Sequence, residues 1–108
     1  MKYNIVLTEQ AENDLRSIYE YIAFTLLEPK IAVGQLERIE KGIMSLDEMP
    51  VRFCMFEKEP WHSRGLRLMP IDHFIVFYIP KTEDKTVNVL RIMYGGREIN
   101  EQFKETNT

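Results

Sequence analysis

Hydrophobic side chains recur at steps of three and four residues as far as residue 46, and at steps of two from residue 66 onwards. The first spacing places apolar side chains on one face of a helix, and the second places them on one face of a strand. The helical spacing occurs twice, and Pro29 should end the first helix near Leu27. The two stripes are Ala11, Leu15, Ile18, Ile22 and Leu26, then Ala32, Leu36, Ile39, Ile43 and Leu46. Two helices joined so closely are predicted to form an antiparallel hairpin.

Segments with strand character stand before and after the two helical runs. Residues 3–7 are rich in strand formers, and Thr8 is a good helix N-cap directly after them. After the helices, residues 66–69 alternate, residues 74–79 are typical of a buried central strand, and residues 87–94 alternate again. Three consecutive strands with short connections imply an antiparallel meander.

The order of these elements predicts a single α+β domain over residues 1–108. Its N-terminal strand should precede an antiparallel helix hairpin packed on one face of a small, mainly antiparallel sheet, in the order β-α-α-β-β-β. Residues 98–105 allow a short C-terminal helix. The sheet face that the helices leave uncovered must then meet another part of the chain or a partner.

The formal net charge of -3 argues by itself against a nucleic-acid binder, but the charge is unevenly distributed. Residues 1–50 contain five Lys and Arg against nine Asp and Glu, whereas residues 51–96 contain seven against five. No basic start with a long apolar run follows Met1, and no stretch approaches the ~18 apolar residues that span a bilayer. A cytoplasmic protein without membrane association is therefore expected, with its positive charge in the second half.

Few motifs for cofactor chemistry are present. Cys54 is the only cysteine, so an internal disulfide is impossible, and a small packing role is expected for it. His62 and His73 are too few and too poorly supplied with nearby ligands for a metal site. Gly95 lacks the surroundings of a phosphate loop. We expect no metal and no cofactor.

A group of cationic side chains remains near the predicted strands. Arg64 and Arg67 lie at the start of the second strand, His73 precedes the third, and Arg91 and Arg97 lie in and after the last. Adjacent strands lie about 4.8 Å apart, so these side chains can converge across a meander. Arginine binds phosphate oxygens with two parallel hydrogen bonds, and Trp61 and Tyr94 offer stacking surfaces. The alternative is a solvated face on which the arginines pair with Glu57, Glu59, Asp72 and Glu98.

The sequence resembles the RelE/ParE toxin superfamily over essentially its whole length. The similar segments are residues 5–15, 18–22, 64–67, 74–78 and 89–97. The first segment begins with Ile-Val-Leu-Thr-Glu-Gln-Ala, and the last segment ends with Tyr-Gly-Gly-Arg. The resemblance implies the toxin of a type II toxin-antitoxin module, which arrests bacterial growth unless a cognate antitoxin covers it. Members either cleave mRNA on the translating ribosome or poison DNA gyrase.

Comparison with the nuclease branch favours the ParE-like interpretation. Arg97 matches that branch's arginine after the last strand, but the third-strand basic position falls on Ile75 and the C-terminal aromatic position on Phe103. General acid-base assistance is worth about 10² to 10⁴ in rate, so these departures favour gyrase binding over catalysis. A ribosome-dependent mRNA endoribonuclease and a degenerate, non-toxic antitoxin-binding module remain the alternatives. The catalytic candidates are Arg97, Arg67, Arg64, Tyr94 and His73, and the target-binding candidates are Arg64, Arg67, Arg91, Arg97 and Trp61.

The resemblance also implies how the antitoxin binds. A mostly disordered segment that folds along the helix hairpin and the sheet edge could bury apolar surface and shield the arginines. Tyr21, Phe24 and Leu27 lie off the main stripe of the first helix and are the candidate antitoxin contacts, with additional core as the alternative. The oligomeric state is left open.

Overall fold

A computed structural model describes residues 2–95 of the chain. Its strands and α-helices follow the predicted order, with a short third helix before the second strand. They are β1 (Asn4–Leu7), α1 (Glu9–Glu20), α2 (Pro29–Met44), α3 (Trp61–Arg64), β2 (Arg67–Ile71), β3 (Phe74–Lys81) and β4 (Thr86–Tyr94). The helix considered for residues 98–105 lies outside the described residues.

The hairpin forms because both helices begin and end at suitable residues. The Thr8 hydroxyl accepts a hydrogen bond from the Ala11 N–H at 3.1 Å and donates one to the Leu90 carbonyl at 2.8 Å, which ties the start of α1 to β4. Beyond α1, the backbone continues as a π-helical turn over Tyr21–Thr25, and Leu27 then adopts a left-handed φ of 57°. The predicted helix end near Leu27 is confirmed. Pro29 occupies the first turn of α2, where its missing N–H costs nothing.

The four strands form one sheet in the order β1-β4-β3-β2. Strands β2, β3 and β4 form the predicted antiparallel meander, and β1 pairs parallel to β4 with Leu7 opposite Val89. Phe77 is opposite Arg91 and Tyr78 is opposite Val89, so Leu90 is an extra residue that forms a β-bulge. The sheet is mixed and mainly antiparallel, as expected for the α+β fold.

Apolar side chains cover both faces of the sheet. On the inner face, beneath the helices, buried residues of β3 and β4 such as Val76, Tyr78 and Val89 pack with Ile39 and Ile43 of α2. On the outer face, the connector between α2 and β2 supplies the cover. The buried outer cluster is Phe56, Leu66, Phe77, Leu90 and Met93. The face away from the helices is therefore closed by the protein's own connector.

Two details differ from the sequence-based expectations. Leu26, at the end of the first stripe, is half exposed because the helix has already left its regular path there. Cys54 is exposed, so the packing role expected for it is wrong: its backbone carbonyl accepts a hydrogen bond from Leu68 along the edge of β2. Over residues 2–95, none of the helices combines the length and the apolar character needed to cross a bilayer.

Candidate functional site

Trp61 and Arg64 form one stacked pair on the connector. The Arg64 guanidinium lies 5.0 Å from the centre of the Trp61 ring, within the range of a cation–π contact. Gly65, with a φ of 84°, ends α3 directly after this pair. The pair borders a shallow cavity of about 540 Å³ that Lys81, Asn88 and the first residues of α1 also line. Two cationic side chains and an indole ring therefore line one concave surface.

The other polar residues of α3 hold the connector together. Glu59 accepts hydrogen bonds from the Ser63 N–H at 2.8 Å and from the Ser63 hydroxyl, and these two bonds lower the pKa of Glu59. The His62 ring nitrogen Nδ1 lies 2.9 Å from the Phe56 carbonyl oxygen. The Ser63 hydroxyl thus donates to a carboxylate and does not face a histidine base. Glu59, His62 and Ser63 therefore stabilise the connector.

Arg67 does not share the surface of Arg64. Its Nη1 atom donates to the carbonyl oxygens of Val51 at 3.0 Å and Phe53 at 2.6 Å. In the strand register, Arg67 is opposite Tyr78, which belongs to the inner-face core. The guanidinium therefore fastens the start of the connector to the sheet.

Arg91 makes a bidentate ion pair with Asp14 of α1. Its Nε and Nη2 atoms lie 2.8 and 3.0 Å from the two carboxylate oxygens, and the Ile92 N–H donates to the same carboxylate at 2.9 Å. Both side chains are about four-fifths buried, with 21% and 16% exposed. Since β1 pairs with β4 only as far as Val89, this carboxylate takes over the next N–H at the strand edge.

His73 and Tyr94 meet at the end of the sheet next to the β2–β3 turn. Their ring centres are 6.4 Å apart, Tyr94 also packs edge-on against Phe74 at 5.9 Å, and the Gly95 N–H donates to the His73 carbonyl at 2.8 Å. Asp72, beside them, accepts hydrogen bonds from Arg38 and Gln35 of α2. Both bonds lower the pKa of Asp72, and the bond from Arg38 lowers it most.

A groove of about 860 Å³ separates this corner from the helix hairpin. Its hairpin wall includes Ile18, Tyr21, Ile22, Leu26 and Ile31, and its sheet wall includes residues 73, 74 and 91–94. Of the three predicted antitoxin contacts, Tyr21 lines this groove, whereas Phe24 and Leu27 lie outside it on the exposed end of the hairpin.

The predicted cationic residues therefore occupy separate places. Arg64 with Trp61, Arg67 under the connector, and Arg91 beside the His73–Tyr94 corner are not gathered on one open sheet face, and Arg97 lies outside the described residues. Leu90 lies beside Trp61 and Arg64, whereas Tyr94 lies four residues further along β4. Four residues of strand span roughly 13 Å. The expected convergence is wrong because Arg67 and Arg91 bind partners on the helix side of the sheet, the Phe53 carbonyl and Asp14, whereas Arg64 stacks on Trp61 of the connector. Within residues 2–95, no three His, Cys, Asp or Glu side chains lie close enough to hold a metal ion.

Sequence reasoning missed Asp14, Lys81 and Asn88. Asp14 had a detectable signal, because it stands three residues after Ala11 on a stripe that is otherwise apolar. A carboxylate on a buried helix face needs a cationic or N–H partner. Lys81 and Asn88 had no such signal, since only the strand register places them near Trp61.

Solved structures with this fold include several toxins. The chromosomal ParDE toxin-antitoxin system from P. aeruginosa matches with a TM-score of 0.70 at 22% identity, over 86% of this chain and 96% of that chain. The RelBE2 toxin-antitoxin complex from Mycobacterium tuberculosis matches with a TM-score of 0.62 at 20% identity, over 87% and 99%. A mutant of the E. coli toxin RelE in the free state gives 0.65 at 17% identity, over 98% and 95%. These likenesses concern the fold.

The comparison by sequence is more specific. A search of curated proteins found no match. The family model for the ParE toxin of the type II toxin-antitoxin system parDE matches residues 5–99, which include both long helices and the whole sheet except Asn4 at the start of β1. The chain therefore belongs to the ParE toxin family of type II toxin-antitoxin systems.

Proposed function

We propose that this ParE-family toxin inhibits bacterial growth by binding DNA gyrase and that a cognate antitoxin neutralises it. The observation that carries the choice of target is the apolar outer face of the sheet. Ile75, at the position where the nuclease branch has a basic residue, is half buried beside Met93 in the outer cluster. RNA cleavage needs cations and proton-transfer groups at such positions, whereas binding another protein does not.

Two of the candidate arginines are already bound within the protein, which also supports gyrase binding over RNA cleavage. Arg67 holds two backbone carbonyls of the connector, and Arg91 holds Asp14. A guanidinium that makes such contacts stabilises the fold, and withdrawing it to contact a phosphate would break hydrogen bonds to partly buried acceptors, the Phe53 carbonyl and Asp14. We therefore assign Arg67 and Arg91 positioning roles.

The stacked pair of Trp61 and Arg64 is the best target-binding surface among the described candidates. Tryptophan and arginine are the side chains most enriched among residues that dominate protein–protein binding energy. Arg64 is exposed and held over the indole ring, so little conformational entropy is lost when a partner contacts it. Lys81 adds a second cation at the same cavity, which suits an acidic patch on gyrase.

The direct test measures supercoiling by purified gyrase with increasing amounts of toxin. We expect the wild type to inhibit supercoiling and Arg64→Ala to need about tenfold more protein for the same inhibition, as for the loss of one dominant contact. Arg16→Ala, which removes an exposed arginine from α1, is the matched control and should act like the wild type. Unimpaired supercoiling at a concentration that stops growth in cells would reject gyrase as the target.

The mRNA endoribonuclease remains the second candidate, because the groove brings a histidine and a tyrosine together. His73 and Tyr94 lie beside Arg91, and a histidine with a phenol near a guanidinium can in principle transfer protons at a ribose. If translating ribosomes with purified toxin yield cleaved mRNA, we expect His73→Ala to lower the rate by about 10² or more. Intact transcripts from a growth-inhibiting wild type would exclude this activity.

For the antitoxin, we propose that one segment fills the groove between the hairpin and the sheet. The groove has apolar walls with the Arg91–Asp14 pair and His73 at its rim, and folding a disordered segment against it would bury this surface. Tyr21→Ala should therefore weaken antitoxin binding in calorimetry, whereas Tyr3→Ala, at a half-buried tyrosine beside β1, should not. If expression of the toxin alone leaves growth unaffected, the non-toxic binding module becomes the better description.

A further inference from the structure

Two rows of side chains lie side by side at one end of the outer sheet face. Ile79 of β3 belongs to the outer cluster, and the strand register places Asn88 of β4 opposite it and Val6 of β1 opposite Asn88. Residues two positions further along each strand point to the same face and form the second row. We call the two rows the open sheet end: Val6, Asn88 and Ile79, then Asn4, Thr86 and Lys81.

The open sheet end offers both apolar and hydrogen-bonding groups to solvent. Val6 is 49% exposed although it is an apolar residue in a strand, and Asn4 and Lys81 are exposed as well. Asn88 is partly buried, and its side-chain amide makes no hydrogen bond to the residues that the structure describes, 2–95. An amide both donates and accepts, and side chains that project from strands lose little conformational freedom when a partner binds. This surface is therefore already arranged for a contact.

The stacked pair of Trp61 and Arg64 needs such a surface beside it. A standard protein interface takes about 800 Å² and about 20 to 30 residues from each partner, far more than two side chains supply. The cavity next to the pair is lined by Ile79, Lys81 and Asn88, which are also members of the open sheet end. A partner that contacts the pair across this cavity therefore reaches the open sheet end next.

We infer that the target-binding surface continues from Trp61 and Arg64 across the open sheet end, and that Val6 and Asn88 determine which partner fits. This inference rests on the proposed binding of gyrase and adds the residues that give that binding its specificity. Val6 stands at the centre of the first row's exposed side and excludes water from the contact. Asn88 lies between Val6 and Ile79 and supplies the directional hydrogen bonds.

The charges around this surface indicate the chemistry of the partner. The six residues of the open sheet end include one cation, Lys81, and no acid, and Arg64 adds a second cation at their border. Of the described residues that line the cavity, Glu9 alone is acidic. The partner should therefore place carboxylates opposite Lys81 and Arg64 and uncharged groups over Val6 and Asn88.

The experiment measures the equilibrium binding of the full-length toxin to purified, immobilised gyrase. Val6→Glu and Asn88→Asp each bring a carboxylate into the open sheet end, and the second change keeps the size of the side chain. We expect each variant to raise the dissociation constant about tenfold, because the new carboxylate is desolvated and faces an acidic partner. Both should melt within about 3 °C of the wild type, since the two positions lie at the surface. If Val6→Glu unfolds, the isosteric Asn88→Asp decides.

Val33→Glu and Asn13→Asp are the matched controls. Val33 is 47% exposed on α2, close to the value for Val6, and Asn13 is exposed on α1. Neither residue lines the cavity. Each control makes the same change in net charge as its test variant, so both should bind gyrase like the wild type.

The contrary outcomes are distinct. If Arg64→Ala weakens gyrase binding while Val6→Glu and Asn88→Asp bind like the wild type, the surface ends at the stacked pair and only the inference is overturned. Equal weakening by the two controls would overturn it too, because net charge would then explain the effect. If the wild type itself does not bind gyrase, the proposed function fails and this extension of it fails with it.

Discussion

The two faces of the sheet are both apolar, but they are covered in different ways. The inner face packs against two long helices whose buried side chains follow a regular spacing, including Ile39 and Ile43 with no more than 2% exposed. The outer face packs against an irregular connector that contributes Phe56 and Leu66 and leaves Leu68, Ile75 and Ile79 only partly buried. The inner face therefore supplies most of the stability, while the outer face carries the surface residues on which the target choice depends.

The largest expected effect compares one side chain from each face. Ile39→Ala should lower the free energy of unfolding by about 3 kcal/mol, because helix and sheet around it cannot collapse into the cavity. Leu68→Ala, on the half-buried outer face, should cost about 1 kcal/mol. Urea denaturation measures both. Equal losses would show that the connector packs as rigidly as the helices.

The next largest effect on stability is expected at the contact between α1 and β4. Asp14→Ala removes the bidentate ion pair with Arg91 and the acceptor of the Ile92 N–H at a largely buried position. We expect a loss of about 2 to 3 kcal/mol in the same assay. Glu12→Ala, at an exposed position of α1, is the control and should change stability by less than about 0.5 kcal/mol.

A smaller effect should appear at alkaline pH. Burial on the inner face raises the pKa of Tyr78 to about 12, and its hydroxyl donates to the Pro50 carbonyl at 2.5 Å. The unfolded chain releases this proton near pH 10, below the folded value, so the contribution is complete below pH 10 and is lost as pH rises towards 12. Tyr78→Phe should cost about 1 kcal/mol at pH 7 and lose stability less steeply between pH 10 and pH 12 than the wild type. Parallel pH profiles for the two proteins would contradict the assignment.

The smallest effect separates two glycines of α2. A Cβ on Gly34 would make ordinary contact with Arg38 at 3.5 Å, so Gly34→Ala should stabilise by about 0.5 to 1 kcal/mol through helix propensity. A Cβ on Gly42 would collide with the end of the Ile71 side chain, so Gly42→Ala should be neutral or destabilising. Thermal denaturation of the two variants decides whether α2 needs this close approach to β2. A clear gain from Gly42→Ala would show that Ile71 moves aside.

Much of the fold was predictable because its signals are local. Thr8 and Pro29 mark helix starts, and the stripe of Ala32, Ile39 and Ile43 is buried as its spacing indicates. The candidate site was less predictable. Arg67 and Arg91 stand in strands as expected, yet their partners, the Val51 and Phe53 carbonyls and Asp14, are between 14 and 77 residues away in sequence.

The sequence by itself determined the number, type and order of the elements and the family resemblance, because hydrophobic spacing, caps and turns act over a few neighbouring residues. Only the tertiary structure decided that β1 lies parallel to β4, that the connector covers the outer face, and that the arginines are kept apart. The physical reason is that charge and hydrogen-bond partners are chosen by proximity in space. A guanidinium that binds a target and one that braces a connector are identical in the sequence.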